Sequence, residues 1–321
     1  MMKIFHGLHT LHQHPFPRSI VTIGSFDGIH RAHQLILRRV IQRARRLHGT
    51  SVLLTFDPHP LKILQPRRPF FALTCIEHRL RLLSRFGLDA CVVIPFSKSF
   101  SRLSAGDFIE KILVRKLKVK ELWVGFDYVF GRNREGTIQL LKEYGKRFGF
   151  EVVRIPPVKM GGKRFSSTQI RGLIAKGKLA EAARCLGRPY SLYGKVVRGS
   201  GRGRHLGFPT ANLKPYHEAI PPKGVYGVTA SPSSGGKSYL GILNIGTRPT
   251  FEKKEKVVIE VHLLDFQGNL YGKKMEVTFL KRIRPERKFP TKEALMERIR
   301  RDEKMARRLL TVLPGRRGLP A

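Results

Sequence analysis

Acidic residues are scarce in this chain. Its 321 residues carry 23 Asp and Glu against 62 Lys and Arg, a formal charge of +39. That imbalance excludes cationic ligands as the main clientele and favours anions: nucleotides, nucleic acid or an anionic membrane surface. The basic residues are dispersed, and clusters such as Arg38, Arg39, Arg43, Arg45 and Arg46 read as one solvated helix face. Charge alone therefore does not separate a nucleotide enzyme from a nucleic-acid binder. Cysteine is nearly absent. Cys75, Cys91 and Cys185 are odd in number, far apart and without a CxxC pair, which excludes a disulfide framework and a zinc site and fits reduced thiols in a cytoplasmic protein. No apolar run approaches the roughly 20 residues of a membrane span, and the first residues lack the apolar core of a signal peptide. His6, His9, His12 and His14 read as part of a mobile, solvated start, with metal chelation as the open alternative.

What is present is enough apolar residue, 41%, to build two cores in a chain of this length. From residue 20 to about 183, short β-rich runs apolar on both faces (51–56, 90–95, 121–125, 151–155) alternate with basic amphipathic segments such as 76–86 and 105–117. That rhythm predicts a parallel sheet wrapped by helices, with ligands beyond the carboxyl ends of its strands. After Leu186 the helices stop. Strand-like segments at 191–197, 224–230, 238–244, 257–265 and 274–279, separated by Gly, Pro or polar turns, predict an antiparallel barrel or sandwich. A final helix is expected from Thr291 as N-cap, with Leu295, Ile299, Ala306 and Leu310 as its buried stripe. The expected division is 1–185, 186–313 and a disordered tail at 314–321.

The most informative stretch follows the β-branched run Ile20, Val21 and Ile23. Gly24-Ser-Phe-Asp-Gly-Ile-His-Arg-Ala-His33 reads as a strand, a glycine turn and a helix start. His30 and His33 lie three apart, on one face of the first helical turn, where free N–H groups suit bound phosphate. Two solvated histidines are the plain alternative. Downstream, Thr55-Phe-Asp-Pro58-His-Pro60 closes a strand with a rigid corner, and Gly125-Phe-Asp127 opens a basic glycine loop. Ser166-Ser-Thr-Gln-Ile-Arg171 sets three hydroxyls and a guanidinium at a helix start, which an ordinary cap would also explain. In the second half, Gly199-Ser-Gly-Arg-Gly203-Arg204-His-Leu-Gly207 is a glycine-rich basic loop able to cradle phosphate. Thr210 and Asn212 follow on one expected strand face, and Glu260 is an acid amid apolar neighbours. Gly236-Lys-Ser238 imitates the end of a P-loop but lacks its first glycine and precedes a strand; residues 231–236 read as a hairpin turn.

In order and spacing these motifs resemble the bacterial bifunctional riboflavin kinase/FAD synthetase family, from about residue 20 to about 310. The front half resembles its nucleotidyltransferase-like (Rossmann-like) FMN adenylyltransferase module, in residues 24–33 and 166–171. The back half resembles its riboflavin kinase barrel, in Gly203-Arg204, 207–212, Gly224-Val-Tyr226, 246–250 and Glu260-Val-His262. Ala32 stands where the family usually has glycine, a change that bears on adenylylation, and Tyr128 and Val129 replace the more usual Phe and Arg. The resemblance implies that riboflavin and MgATP give FMN in the barrel, with Glu260 as base, Thr210 and Asn212 at Mg²⁺ and phosphate, and Gly199, Gly203, Arg204 and Gly207 around ATP. It implies that FMN and a second ATP give FAD and pyrophosphate in the front domain. There Gly24, Phe26, Asp27, Gly28, His30, His33, Ser167, Thr168 and Arg171 would hold the triphosphate. Pro58, Pro60, Asp127 and Arg284 are candidates for flavin contact. The expected partners are riboflavin, FMN and ATP alone, without membrane or sequence-selective nucleic acid, on a monomer or weak homo-oligomer. Two alternatives stay open: kinase activity only, with Ala32 impairing the other site, and a basic nucleic-acid binder.

Overall fold

The computed structural model describes residues 1–11, 16–157, 159–160, 163–199, 203, 206–216, 218–232, 237–248 and 256–312. The chain forms two compact units, residues 1–72 with 76–167, and residues 73–75 with 168 onward. Arg204, His12, His14, most of the 231–236 turn and the tail beyond 312 lie outside the described residues.

In the first unit, β1 (Lys3–His6), β2 (Ser19–Ile23), β3 (Ser51–Asp57), β4 (Ala90–Pro95), β5 (Val119–Gly125) and β6 (Glu151–Ile155) form an all-parallel sheet in the order β1-β4-β3-β2-β5-β6. Chain order runs outward from β2 in one direction through β3 and β4, and in the other through β5 and β6. The switch point between β2 and β5 is where such sheets open a crevice at their carboxyl ends. Period-two alternation sends Val21, Ile23, Val52, Leu54, Val92 and Ile94 to one face and Leu53, Cys91 and Val93 to the other. Helices α1 (Arg31–Arg46), α2 (Ile76–Leu83), α3 (Phe108–Lys116) and α4 (Ile138–Phe148) cover these faces. Each fully buried aliphatic side chain there contributes roughly 1.5–3 kcal/mol.

Two expectations need correction. His6 and His9 do not belong to a loose start: His6 closes β1, paired in parallel with β4, His9 lies in a 3-10 turn, and Met2, Phe5 and Leu11 are buried. Ile4 is exposed and Phe5 is the one inward side chain of this edge strand, so no alternation of apolar and polar residues marks it. The 105–117 segment begins as an α-helical turn, Ala105–Asp107, and widens into α3, where Leu117 N–H reaches Ile112 O, five residues back. Arg43, 38% exposed, stays on the solvated face expected for it but also reaches inward. It bonds the buried carboxylate of Glu121, 2.7 Å away, which also accepts from Trp123 Nε1.

A small hairpin pairs β7 (Lys159–Met160) with β8 (Lys163–Arg164). Helices α5 (Ser167–Ala175) and α6 (Leu179–Leu186) follow. The second unit then closes a barrel from β9 (Ser191–Val197), β10 (Ala211–Pro215), β11 (Gly224–Pro232), β12 (Tyr239–Arg248), β13 (Lys256–Leu263) and β14 (Lys274–Arg284), in the cyclic order β10-β13-β12-β11-β14-β9, with antiparallel neighbours throughout. β10 bears out the strand expected around Thr210 and Asn212, beginning one residue after Thr210, and Leu213 is its one buried apolar side chain. Tyr193, Tyr226, Leu243 and Val261 fill the interior. The C-terminal helix α7 (Lys292–Val312) packs outside, where Ala306 meets Val225 and Ile242. Thr291 caps it as expected, accepting from Ala294 N–H at 3.2 Å.

Candidate active sites

In the first unit the carboxyl ends of β3, β2 and β5 lie side by side, bringing together the 57–60 corner, the 24–33 turn and Gly125 with Asp127. The turn is tight and strained. Phe26 (φ 47°), Gly28 (φ 78°) and Ile29 (φ 42°) are all left-handed, a conformation that is costly for a β-branched residue. Surrounding bonds hold it. Gly24 N–H donates to Leu54 O, Thr55 Oγ1 donates to Ser25 O at 3.1 Å, and Phe26, Asp27 and Ile29 are buried. Ser167 Oγ donates to Asp27 O at 2.9 Å, so the second motif is fastened to the first by the second of its three hydroxyls. Thr168 and Arg171 follow on α5.

His30 is the N-cap of α1, its Nδ1 accepting a long 3.4 Å bond from His33 N–H. The first turn of α1 carries no acid, leaving the helix dipole uncompensated. The two imidazoles stack with centroids 3.7 Å apart at 16°, and Phe26 packs on the far side of His33 at 4.6 Å. His33 Nδ1 is buried without a hydrogen-bond partner among the described residues. Burial, and then the proximity of His30 and Arg79, push the His33 pKa well below its ordinary 6.5. Two stacked rings do not both charge without a counter-anion. The sign follows by linkage: in the ligand-free fold His33 stays neutral where the unfolded chain would protonate it. Stability should therefore fall with acidification through about 6.5 and be unaffected above it. A series of melting temperatures against pH, compared between wild type and His33→Gln, measures this; the variant should lose that acid limb.

Sequence reasoning missed Arg79. It lies on a segment read as basic and amphipathic, yet is 2% exposed, and its Nη1 donates to Thr55 Oγ1 and Phe56 O, each at 3.1 Å. Through Thr55 it buttresses Ser25 in the turn.

In the second unit, Glu260 of β13 faces Asn212 of β10 on one side and Asn244 of β12 on the other. Alternation along β13 turns Val258, Glu260 and His262 toward α7, and Val261 and Leu263 the opposite way. A cavity of about 710 Å³ opens between this face and the helix, lined among others by Gly203, Thr210, Asn244, Glu260 and Arg284. A second cavity of about 340 Å³ has Val261, Leu263, Phe266 and Tyr271 in its wall and shares Thr210 with the first. Glycine is required in the neighbouring loop. A Cβ on Gly199 would stand 2.0 Å from the Asn212 amide nitrogen, and one on Gly203 would stand 2.4 Å from Phe208 O and 3.0 Å from Thr210 Oγ1. Gly207 is left-handed at φ 80°. Arg284 is held by Asp302 of α7, Nε to Oδ2 2.9 Å, and lies over the Phe289 ring. Thr210, Asn212, Glu260 and Arg284 thus converge as a group. Asn244 and Asp302 join them unannounced by any motif.

A strained, anion-ready turn at a switch point, and a carboxylate flanked by amides beside a glycine loop, mark the chain as a nucleotide-using transferase. Residues 12–169 match the FAD synthetase family and residues 186–310 the riboflavin kinase family. The bifunctional riboflavin kinase/FMN adenylyltransferase of Escherichia coli (strain K12) is 39% identical over 306 residues, 95% of this chain and 97% of that protein. The protein of that name from Pseudomonas fluorescens is 39% identical over 315 residues, 96% and 98% of the two chains. The crystal structure of a macrolide-efflux protein from Streptococcus pneumoniae superposes with a TM-score of 0.81 at 32% identity, covering 95% of this chain and 99% of that one. Its name speaks of efflux; among the described residues here, no helix is long and apolar enough to cross a membrane. The chain belongs to the bifunctional riboflavin kinase/FMN adenylyltransferase family.

Proposed function

We propose that the barrel, from residue 186, phosphorylates riboflavin to FMN with ATP and that the preceding 185 residues adenylylate FMN to FAD with release of pyrophosphate. The observation that carries the kinase half is Glu260 set between Asn212 and Asn244 in a cavity it shares with Thr210. The ribityl 5′-hydroxyl is a poor nucleophile. Glu260 takes its proton as the hydroxyl oxygen attacks the γ-phosphorus and ADP leaves, assistance worth typically 10²–10⁴-fold. Cross-strand pairing sets one asparagine on either side of the carboxylate. Because the larger and smaller cavities meet at Thr210, flavin fits the first beside Arg284 and Phe289, the nucleoside of ATP fits the second, and the phosphates pass Thr210. The loop glycines bring backbone N–H groups to those phosphates.

Among the described residues no group of three or more His, Cys, Asp or Glu is arranged to hold a metal. The Thr210 hydroxyl and Asn212 amide oxygen are hard donors beside a carboxylate, and they fit Mg²⁺, which keeps most of its shell as water and phosphate. Bound there, Mg²⁺ would neutralise charge on the ATP phosphates.

In the first unit no base is needed. An FMN phosphate oxygen, already ionised, attacks the α-phosphorus and pyrophosphate leaves. His30, His33 and Ser167 orient the triphosphate and stabilise its spreading charge. Pro58, Pro60 and Asp127, on the flanking strand ends, border the flavin. Incubation with riboflavin, ATP and Mg²⁺ should give FMN and then FAD on a chromatogram, and neither product from folded protein refutes the proposal. Ala32 occupies the second position of α1, and a helical Cβ tilts toward the N-terminus, here toward the phosphate side. Ala32→Gly should therefore raise the FAD-forming kcat/KM for ATP several-fold, at a stability cost of up to about 1 kcal/mol. Steady-state rates and a melting curve on the same sample check both.

A further inference from the structure

The ladder between β10 and β13 is short. Its register pairs are Ala211 with Val261 and Asn212 with Glu260. Thr210, one residue earlier, precedes the strand, so the residue that meets the phosphates lies just beyond the last backbone pairing. The next β13 residue on the Glu260 face is His262, two positions on. Its Nδ1 lies 2.7 Å from the carbonyl oxygen of Pro209, the residue before Thr210. A carbonyl only accepts, so this nitrogen carries the proton and donates it. On the other side, Nε2 lies 3.1 Å from Glu303 Oε1 on α7, and since a carboxylate also only accepts, this contact is a bond of the doubly protonated ring. The Phe208 ring meets the imidazole edge-on at 5.8 Å and 83°. The side chain is only 14% exposed. A single imidazole therefore touches the segment leading into Thr210, springs from the strand that carries Glu260, and is braced by the helix that roofs the cavity.

Resting on the kinase reading above, we propose that His262 is a positioning residue for phosphoryl transfer, continuing the β10–β13 pairing by side chain where the backbone ladder ends and so setting Thr210 against Glu260. Its partner Glu303 fixes the ring from behind. Neither needs to touch substrate. Misplacement of reacting groups by about 1 Å costs on the order of 100-fold in turnover, while leaving most binding contacts intact. The signature of such a residue is thus a fall in kcat with KM little changed.

The test uses the full-length chain and three variants, with FMN formation and FMN adenylylation measured separately. His262→Leu removes both polar contacts. It should lower the riboflavin kinase kcat by roughly 30–100-fold with the KM for riboflavin within about 3-fold. His262→Asn places its amide N–H where Nδ1–H stood and should restore the kcat to within about 5-fold of wild type. Glu303→Leu should cost about 3–10-fold, since the Pro209 link survives. FMN adenylylation should be the same in all of them. A His262→Leu enzyme within 2-fold of wild type overturns the inference. So does an Asn variant no better than the Leu variant, or a fall in kcat that tracks lost thermal stability equally across both substitutions. Wild-type protein that forms no FMN would instead overturn the kinase reading itself.

Discussion

Replacing Glu260 by Gln should reduce riboflavin phosphorylation by about 10²–10⁴-fold while FMN adenylylation continues at the wild-type rate. The size of the effect comes from the chemistry of the acceptor. An alcohol has no useful fraction of alkoxide at neutral pH, whereas FMN reaches the other site with its nucleophile already charged. The carboxamide keeps the shape and one acceptor oxygen between Asn212 and Asn244, so cavity geometry is conserved and proton acceptance is what is lost. The KM for riboflavin should move little, because the cavity wall proposed for the flavin, around Arg284 and Phe289, is untouched. Supplying FMN directly to the same sample isolates the second activity. Loss of both conversions from a folded variant would contradict the assignment of one reaction to each unit.

Much of this was legible in the sequence, for identifiable reasons. Strands β2, β4 and β6 are buried or flanked by glycine and basic helices, so their apolar runs stand out. The 24–33 turn was readable because strained backbone selects glycine and leaves a signature. Glu260 was readable as an acid in an otherwise apolar strand. What escaped depends on register and long-range packing. Asn244 becomes a neighbour of Glu260 only once β12 and β13 are aligned. Arg79 looked like another cation on a basic helix, and its burial against Thr55 and Phe56 follows from where β3 ends. His6 and Phe5 gave no strand signal because an edge strand with one inward side chain has no period to read.

Asp302 is the most instructive of the missed residues, and replacing it should have the largest effect on stability. The stripe expected for α7 was Leu295, Ile299, Ala306 and Leu310; Asp302 falls on that same stripe, three after Ile299 and four before Ala306. An acid at that position is a signal in itself. It is 1% exposed; Arg284 Nε donates to Oδ2 at 2.9 Å, and Arg298 Nε lies 3.0 Å from Oδ1 as an ion pair without hydrogen-bond geometry. Removing one partner of a buried ion pair leaves an uncompensated charge and typically costs 3–5 kcal/mol. Asp302→Leu should therefore lower the melting temperature of the barrel by on the order of 10 °C. It should also raise the KM for riboflavin, because Arg284 loses the carboxylate that orients it along the cavity wall. The two consequences separate in a double variant. Arg284→Met with Asp302→Leu replaces the pair by apolar side chains, an exchange that is often neutral or stabilising. Such a protein should regain most of the lost thermal stability and still bind riboflavin poorly. If stability returned together with full riboflavin affinity, the buried pair would serve packing alone and Arg284 would have no part in holding the flavin. If the single variant melted like wild type, the carboxylate would not be the bolt between helix and barrel that its geometry describes.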